Sequence, residues 1–109
     1  MSDTPDPITI TTRRADDGVV VSVAGELDLH SASALTDAVQ RVLDEHPGET
    51  IALDASGLSF ADSAGLRALL VAHGDAGERN VAFRIVRPSE PLERLLEMTG
   101  LREMLCAPG

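Results

Sequence analysis

A chain of 109 residues has room for one domain and one modest core, because a chain this short buries only about two-thirds of the surface its unfolded form exposes. The 43% hydrophobic content excludes a disordered chain, and the formal net charge of -9 argues against nucleic acid and anionic membrane surfaces, which need clustered Lys and Arg. An acidic molecule is steered instead toward a protein partner with a positive face. The lone Cys106 can form no internal disulfide and suits a reducing cytoplasm, with a bystander thiol as its expected role.

Residues 1–7 are polar, carry Pro and Asp, offer nothing of signal-peptide character, and are expected to be a flexible tail ahead of a single domain over residues 8–109. No apolar run approaches the ~20 residues that span a bilayer. β-Branched residues alternate over residues 8–14 and predict an edge strand, and Asp16-Asp17-Gly18 predicts a turn. Val19, Val21 and Val23 then fall on one face of a second strand over residues 19–24, which should pair with the first as an antiparallel hairpin. Leu35, Val39, Val42 and Leu43 form a helical stripe over residues 31–46, with Ser31 or Ser33 placed to cap its start and Pro47-Gly48 to end it. A short buried strand is expected over residues 50–54, around Ile51 and Leu53.

The next helix is expected to begin at Asp62 or Ser63, to bury Leu66, Leu69 and Leu70, and to stop at Gly74. Val81, Phe83 and Ile85 alternate in a strand over residues 81–86. Ser89 should cap a further helix with Leu92, Leu95 and Leu96 as its stripe and Gly100 as its C-terminal cap, after which Leu101, Met104 and Leu105 pack the chain end down. The order β-β-α-β-α-β-α implies right-handed crossovers. The expected fold is a single α/β domain: a mixed, mostly parallel sheet of about four strands with an antiparallel N-terminal hairpin edge, packed by three to four helices.

The segment from Leu53 through Phe60-Ala61-Asp62-Ser63-Ala64-Gly65-Leu66 carries the functional signal. It reads as a strand, a short loop across the carboxyl edge of the sheet and a helix start, the place where open α/β sheets put ligands. First-turn amides lack intrahelical acceptors and the helix dipole is positive there, so a phosphate on Ser63 would meet free donors, with Gly65 allowing close backbone approach. Asp62 and Ser63 are equally suited to plain helix capping, and the two roles are compatible. Ala64, Ala68 and Val71 lie at i, i+4 and i+7 and read as a small, flat outer docking face with Arg67 beside it, although alanine is also simply a good helix former.

Gly25-Glu26-Leu27-Asp28, Leu53-Asp54, Phe60-Ala61-Asp62-Ser63-Ala64-Gly65-Leu66 and Gly100-Leu101, in this order and spacing, resemble the STAS domain, in particular the bacterial anti-sigma factor antagonists. The resemblance covers nearly the whole chain, and the Asp-Ser-x-Gly-Leu element is its most specific part. It implies a protein that binds an anti-sigma factor which is also a serine kinase, and so frees a sigma factor. It implies that this kinase phosphorylates Ser63, that a serine phosphatase reverses the modification, and that Asp28 is an acidic neighbour of the acceptor. Ala64 stands where many members carry a second Ser or Thr, which removes a rival acceptor. Partner-binding positions are accordingly expected at Asp28, Asp62, Ser63, Ala64, Gly65, Arg67, Ala68 and Val71, in a monomer or weak dimer with no cofactor.

Other chemistries are poorly supported. A triad of Ser63, His73 and an aspartate would need groups roughly 15 Å apart along one helix to meet. His73 continues the leucine stripe and suits a semi-buried structural place, and Gly57-Leu58-Ser59-Phe60-Ala61 departs from the nucleophile-elbow pattern at its last position. Asp28 and His30 are too few to hold a metal, and His30 and His46 read as surface residues flanking the first helix. The remaining alternative lies within the same family: a scaffold, transporter-associated or nucleotide-sensing STAS module without an anti-sigma partner, although no P-loop supports a nucleotide.

Overall fold

The computed structural model describes residues 8–106. The tail expected over residues 1–7 lies outside them. The chain runs through β1 (Ile8–Ala15), β2 (Gly18–Leu27), α1 (Ala32–Glu45), β3 (Thr50–Ala61), α2 (Ser63–Glu78), β4 (Phe83–Val86), α3 (Glu90–Thr99) and α4 (Arg102–Cys106). The four strands lie in sequence order in one sheet, with β1 antiparallel to β2 and the β2–β3 and β3–β4 pairs parallel. The expected mixed sheet with an antiparallel hairpin edge is therefore present, with four helices packed on it.

Strand alternation builds the core. Val19 pairs with Ile51 and Ile51 with Phe83, while Val21 pairs with Leu53 and Leu53 with Ile85. Paired residues point to the same side of a sheet, so these six stack in two rows, and all are buried. The other side of the same strands carries Thr9, Thr11, Arg13, Ser22, Asp54 and Arg84, all exposed or half-buried. The buried stripe of α1, Leu35, Val39, Val42 and Leu43, is the one its periodicity predicts. Helices α1 and α2 lie side by side and run the same way, as parallel crossovers require: Gln40 donates to Asp75 at 2.8 Å, and one turn on Arg79 meets Asp44 at 2.6 Å.

Three expected boundaries and one expected packing contact are corrected. β3 does not end at Asp54 but continues to Ala61, pairing with an equally extended β2 as far as Leu27↔Ala61 through two register shifts. Helix α2 does not stop at Gly74; it continues to Glu78, and Asn80, with a positive φ of 59°, makes the turn out. The last strand begins at Phe83, although Val81 is buried as expected. Met104 does not pack inward; it is exposed, and Leu105 alone of α4 is buried. Ser89 caps α3 by accepting from the Leu92 amide, and Gly100 closes it in the left-handed region at φ 72°.

Candidate functional site

The candidate site forms where the ends of β2 and β3 deliver their chains to the start of α2. Asp62 sits in extended backbone as the N-cap, and its carboxylate accepts the Gly65 amide at 3.0 Å. The Asp62 amide donates to the Leu27 carbonyl at 3.3 Å, which ties the first turn of α2 to the last residue of β2. Gly65 completes this junction. A Cβ there would stand 2.3 Å from the Leu27 carbonyl oxygen, so only glycine lets the helix approach so closely. The close approach expected of Gly65 exists, but it serves the seam with β2 and Gly65 is buried, so Gly65 is not a surface position.

Ser63 is the first residue of α2 and is exposed. Its hydroxyl makes no hydrogen bond among the described residues, whereas the neighbouring serines are engaged: Ser56 Oγ donates to Asp54 Oδ1 at 2.7 Å and Ser59 Oγ to the Gly25 carbonyl at 3.2 Å. The hydroxyl thus stands in water at the positive end of a 16-residue helix. Three of the four helical residues Ser63, Arg67, Val71 and Gly74 carry a side chain on the outer face, and all four are exposed.

This places the outer face differently from the expected one. Ala64 is half-buried, and Ala68 is only 4% exposed, packed in the core on the flank of α2 that meets α1. The outward stripe of α2 is therefore Ser63, Arg67 and Val71, and the expected outer stripe of Ala64, Ala68 and Val71 is corrected: only Val71 of it is exposed. The helical period allows both stripes; the neighbouring α1 decides which one is covered.

Asp28 lies on the loop after β2, one residue beyond the Leu27 carbonyl that receives the Asp62 amide, so the structure brings Asp28, Asp62 and Ser63 into one region. Its carboxylate accepts the amides of His30 at 2.9 Å and Ser31 at 3.2 Å, an Asx turn that opens α1. Ser31, expected as a cap, occupies the cap position without capping. It is almost wholly buried, accepts the Asp28 amide at 3.0 Å and donates to the Glu26 carbonyl at 2.7 Å, so it fixes the loop that carries Asp28. Its role in holding the site was missed because a serine before a helix reads as a cap; only burial shows that it is a tie.

The other candidates fall into structural places. His73 is half-buried with its ring edge-on to Phe83 at 6.2 Å between centroids, as its place on the leucine stripe suggests. His30 is exposed, while His46 is half-buried beside Glu49 at 3.5 Å. No group of three or more metal-ligating side chains occurs among the described residues. Cys106 is half-buried, and burial pushes its thiol pKa up, away from the reactive thiolate. No described helix is long and apolar enough to cross a membrane.

A family model described as "Mlab, STAS domain" matches residues 10–106. The anti-sigma-F factor antagonist RsfB of Mycobacterium tuberculosis is 32% identical over 97 residues, covering 89% of this chain and 78% of RsfB. The crystal structure of an anti-sigma factor antagonist from Mycobacterium paratuberculosis superposes with a TM-score of 0.79 at 31% identity, covering 94% of this chain and 86% of that one. The anti-sigma factor antagonist SpoIIAA in its unphosphorylated form, at 20% identity and a TM-score of 0.73, shares the fold over 89% of this chain and 85% of its own. The sheet order, the Asp62 cap with the open Ser63 beside it, and the match along almost the whole length converge: the chain belongs to the STAS domain family, among the anti-sigma factor antagonists.

Proposed function

We propose that this chain binds, in its unphosphorylated form, an anti-sigma factor that is also a serine kinase, thereby freeing a sigma factor in the cytoplasm, and that phosphorylation of Ser63 switches the binding off. The observation that carries the reading is the exposed Ser63 hydroxyl, without a hydrogen-bond partner among the described residues, at the first position of α2. Supporting it, the relatives at 32% and 31% identity are named as anti-sigma factor antagonists, and SpoIIAA, which shares the fold, is described in unphosphorylated and phosphorylated forms.

The chemistry asks little of this chain. The Ser63 oxygen attacks the γ-phosphorus of ATP held by the kinase, the Oγ–P bond forms as the bond to the β-phosphate oxygen breaks, ADP leaves, and the hydroxyl proton passes to a base of the kinase. A serine phosphatase returns the hydroxyl by hydrolysis. The protein's own part is presentation: a rigid first turn, pinned by Asp62 and Gly65, holds the acceptor outside the core. The added group carries about -1.5 to -2 charges at neutral pH and lands beside Asp62 and the Asp28 loop. A partner surface shaped to cover a neutral hydroxyl would then have to accommodate a bulky charged group beside two carboxylates, which weakens binding by orders of magnitude with no change of fold.

Incubation with the cognate kinase and ATP, read by mass spectrometry, should place one phosphoryl group on Ser63. Calorimetry should show Ser63→Ala binding as the unmodified protein does and Ser63→Glu binding at least tenfold more weakly. Label on Ser56 or Ser59, or equal affinities for the two variants, would overturn the assignment.

A further inference from the structure

Arg67 is the only Lys or Arg in α2 and lies four residues after Ser63, one turn along the same exposed face. It makes no hydrogen bond or ion pair among the described residues, whereas Arg14, Arg79, Arg87, Arg94 and Arg102 each meet a carboxylate. Side chains at i and i+4 of a helix are neighbours, about 6 Å apart along the axis. A long guanidinium side chain there reaches back toward the N-terminus of the helix, because Cα–Cβ bonds tilt that way.

We propose that Arg67 is a positioning residue for the phosphorylated state: its guanidinium folds back over the first turn of α2 and pairs with the phosphoryl group on Ser63. The inference rests on Ser63 being the acceptor and goes beyond it by assigning the counter-charge to this chain rather than to a partner. Apart from the free first-turn amides, the nearest charged side chains other than Arg67 are acidic. Asp62 caps its own helix and Asp28 lies on the adjoining loop, while His30 on that loop is exposed and the first turn of α1 carries no acidic residue; the carboxylate that α1 turns toward α2, Asp44, lies at the far end beside Arg79. A guanidinium offers a planar pair of N–H donors to two phosphate oxygens, a fit that an ammonium lacks. Pairing keeps the phosphoryl group along the helix face, so the modified serine presents a bulky ion pair, not a free dianion, where the partner must dock.

The test uses the full chain with phosphoserine installed at position 63 during translation, so that its outcome does not depend on any kinase. Phosphorus NMR then follows the second ionisation of the phosphate with pH, in the wild-type chain and in the R67Q and R67K variants. Arg67 pairing should hold that ionisation lower in the wild type, with R67Q raising it by about 0.3 unit at low salt and R67K falling between. The difference should shrink severalfold in ~1 M salt, where the Debye length is about 3 Å. Thermal stability of the unphosphorylated R67Q chain should equal that of the wild type. Coincident titration curves for wild type and R67Q, or a difference that salt leaves untouched, would overturn the inference. Failure of the kinase to label Ser63 would instead count against the phosphorylation reading.

Discussion

Gly65→Ala tests the joint on which the site is built. The added Cβ would stand 2.3 Å from the Leu27 carbonyl oxygen, 2.8 Å from Leu27 Cγ and 2.9 Å from the Leu27 carbonyl carbon. Two of these three atoms are backbone, and they cannot retreat freely: the carbonyl accepts the Asp62 amide, and Leu27 pairs with Ala61 in the sheet. The helix cannot retreat either, because Leu66 and Leu69 are buried beneath it. Overpacking costs about 1–3 kcal/mol, a clash this close with backbone lies at the upper end, and helix propensity returns about 1 kcal/mol, so the net loss is about 2 kcal/mol. For a domain of this size that lowers Tm by roughly 5–15 °C. Gly74→Ala is the internal control. Nothing lies within 4 Å of its Cβ position, so the same substitution on the same helix should stabilise by about 0.5–1 kcal/mol. The chain has no Trp or Tyr, so unfolding is best followed by circular dichroism, in urea and on heating. A Gly65→Ala chain as stable as the wild type, alongside a stabilised Gly74→Ala, would show that α2 does not press on the end of β2, and the account of how Ser63 is held would fail.

Three further outcomes follow from the same geometry. Ala68→Glu should destabilise by about 3 kcal/mol or more, because it buries an unpaired carboxylate between α1 and α2; a fully stable variant that loses only partner binding would return Ala68 to the surface. Ser31→Ala should cost about 1–3 kcal/mol and speed amide exchange at Asp28, since one hydroxyl bridges the Asp28 amide and the Glu26 carbonyl; unchanged exchange would mean that the loop is held by other contacts. Burial alone would raise the Asp54 pKa, but the Ser56 amide and hydroxyl, with Arg87 and Arg13 nearby, bring it below its ordinary 3.8. A lowered folded-state pKa contributes stability that is present above 3.8 and lost as pH falls through the folded value. The stability gap between wild type and Asp54→Asn should therefore be full at pH 7 and close in strong acid; a gap constant from pH 7 to about 2 would refute it.

The candidate site was legible in part. Asp62-Ser63 at a helix start followed from local chemistry, because capping preference is a property of one residue and the amides next to it. The wrong stripe on α2 shows the limit. Ala64, Ala68 and Val71 and Ser63, Arg67 and Val71 both satisfy a helical period, and small residues fit a buried flank as well as an exposed one. Likewise Ala55-Ser56-Gly57 has the composition of a turn, yet it continues a strand because the end of β2 is there to pair with it.

What the amino-acid order determined by itself was everything set over a few residues: the strand alternation in 19–23, the α1 stripe, the Ser89 and Gly100 ends of α3, and the capped start of α2. Tertiary structure alone decided how far β3 runs, which flank α2 turns toward α1, and that Gly65 and Ser31 are ties instead of surface positions. Those features depend on contacts between residues far apart in the chain, where a carbonyl, a neighbouring helix or an unpaired strand edge supplies the energy that local propensity leaves undecided.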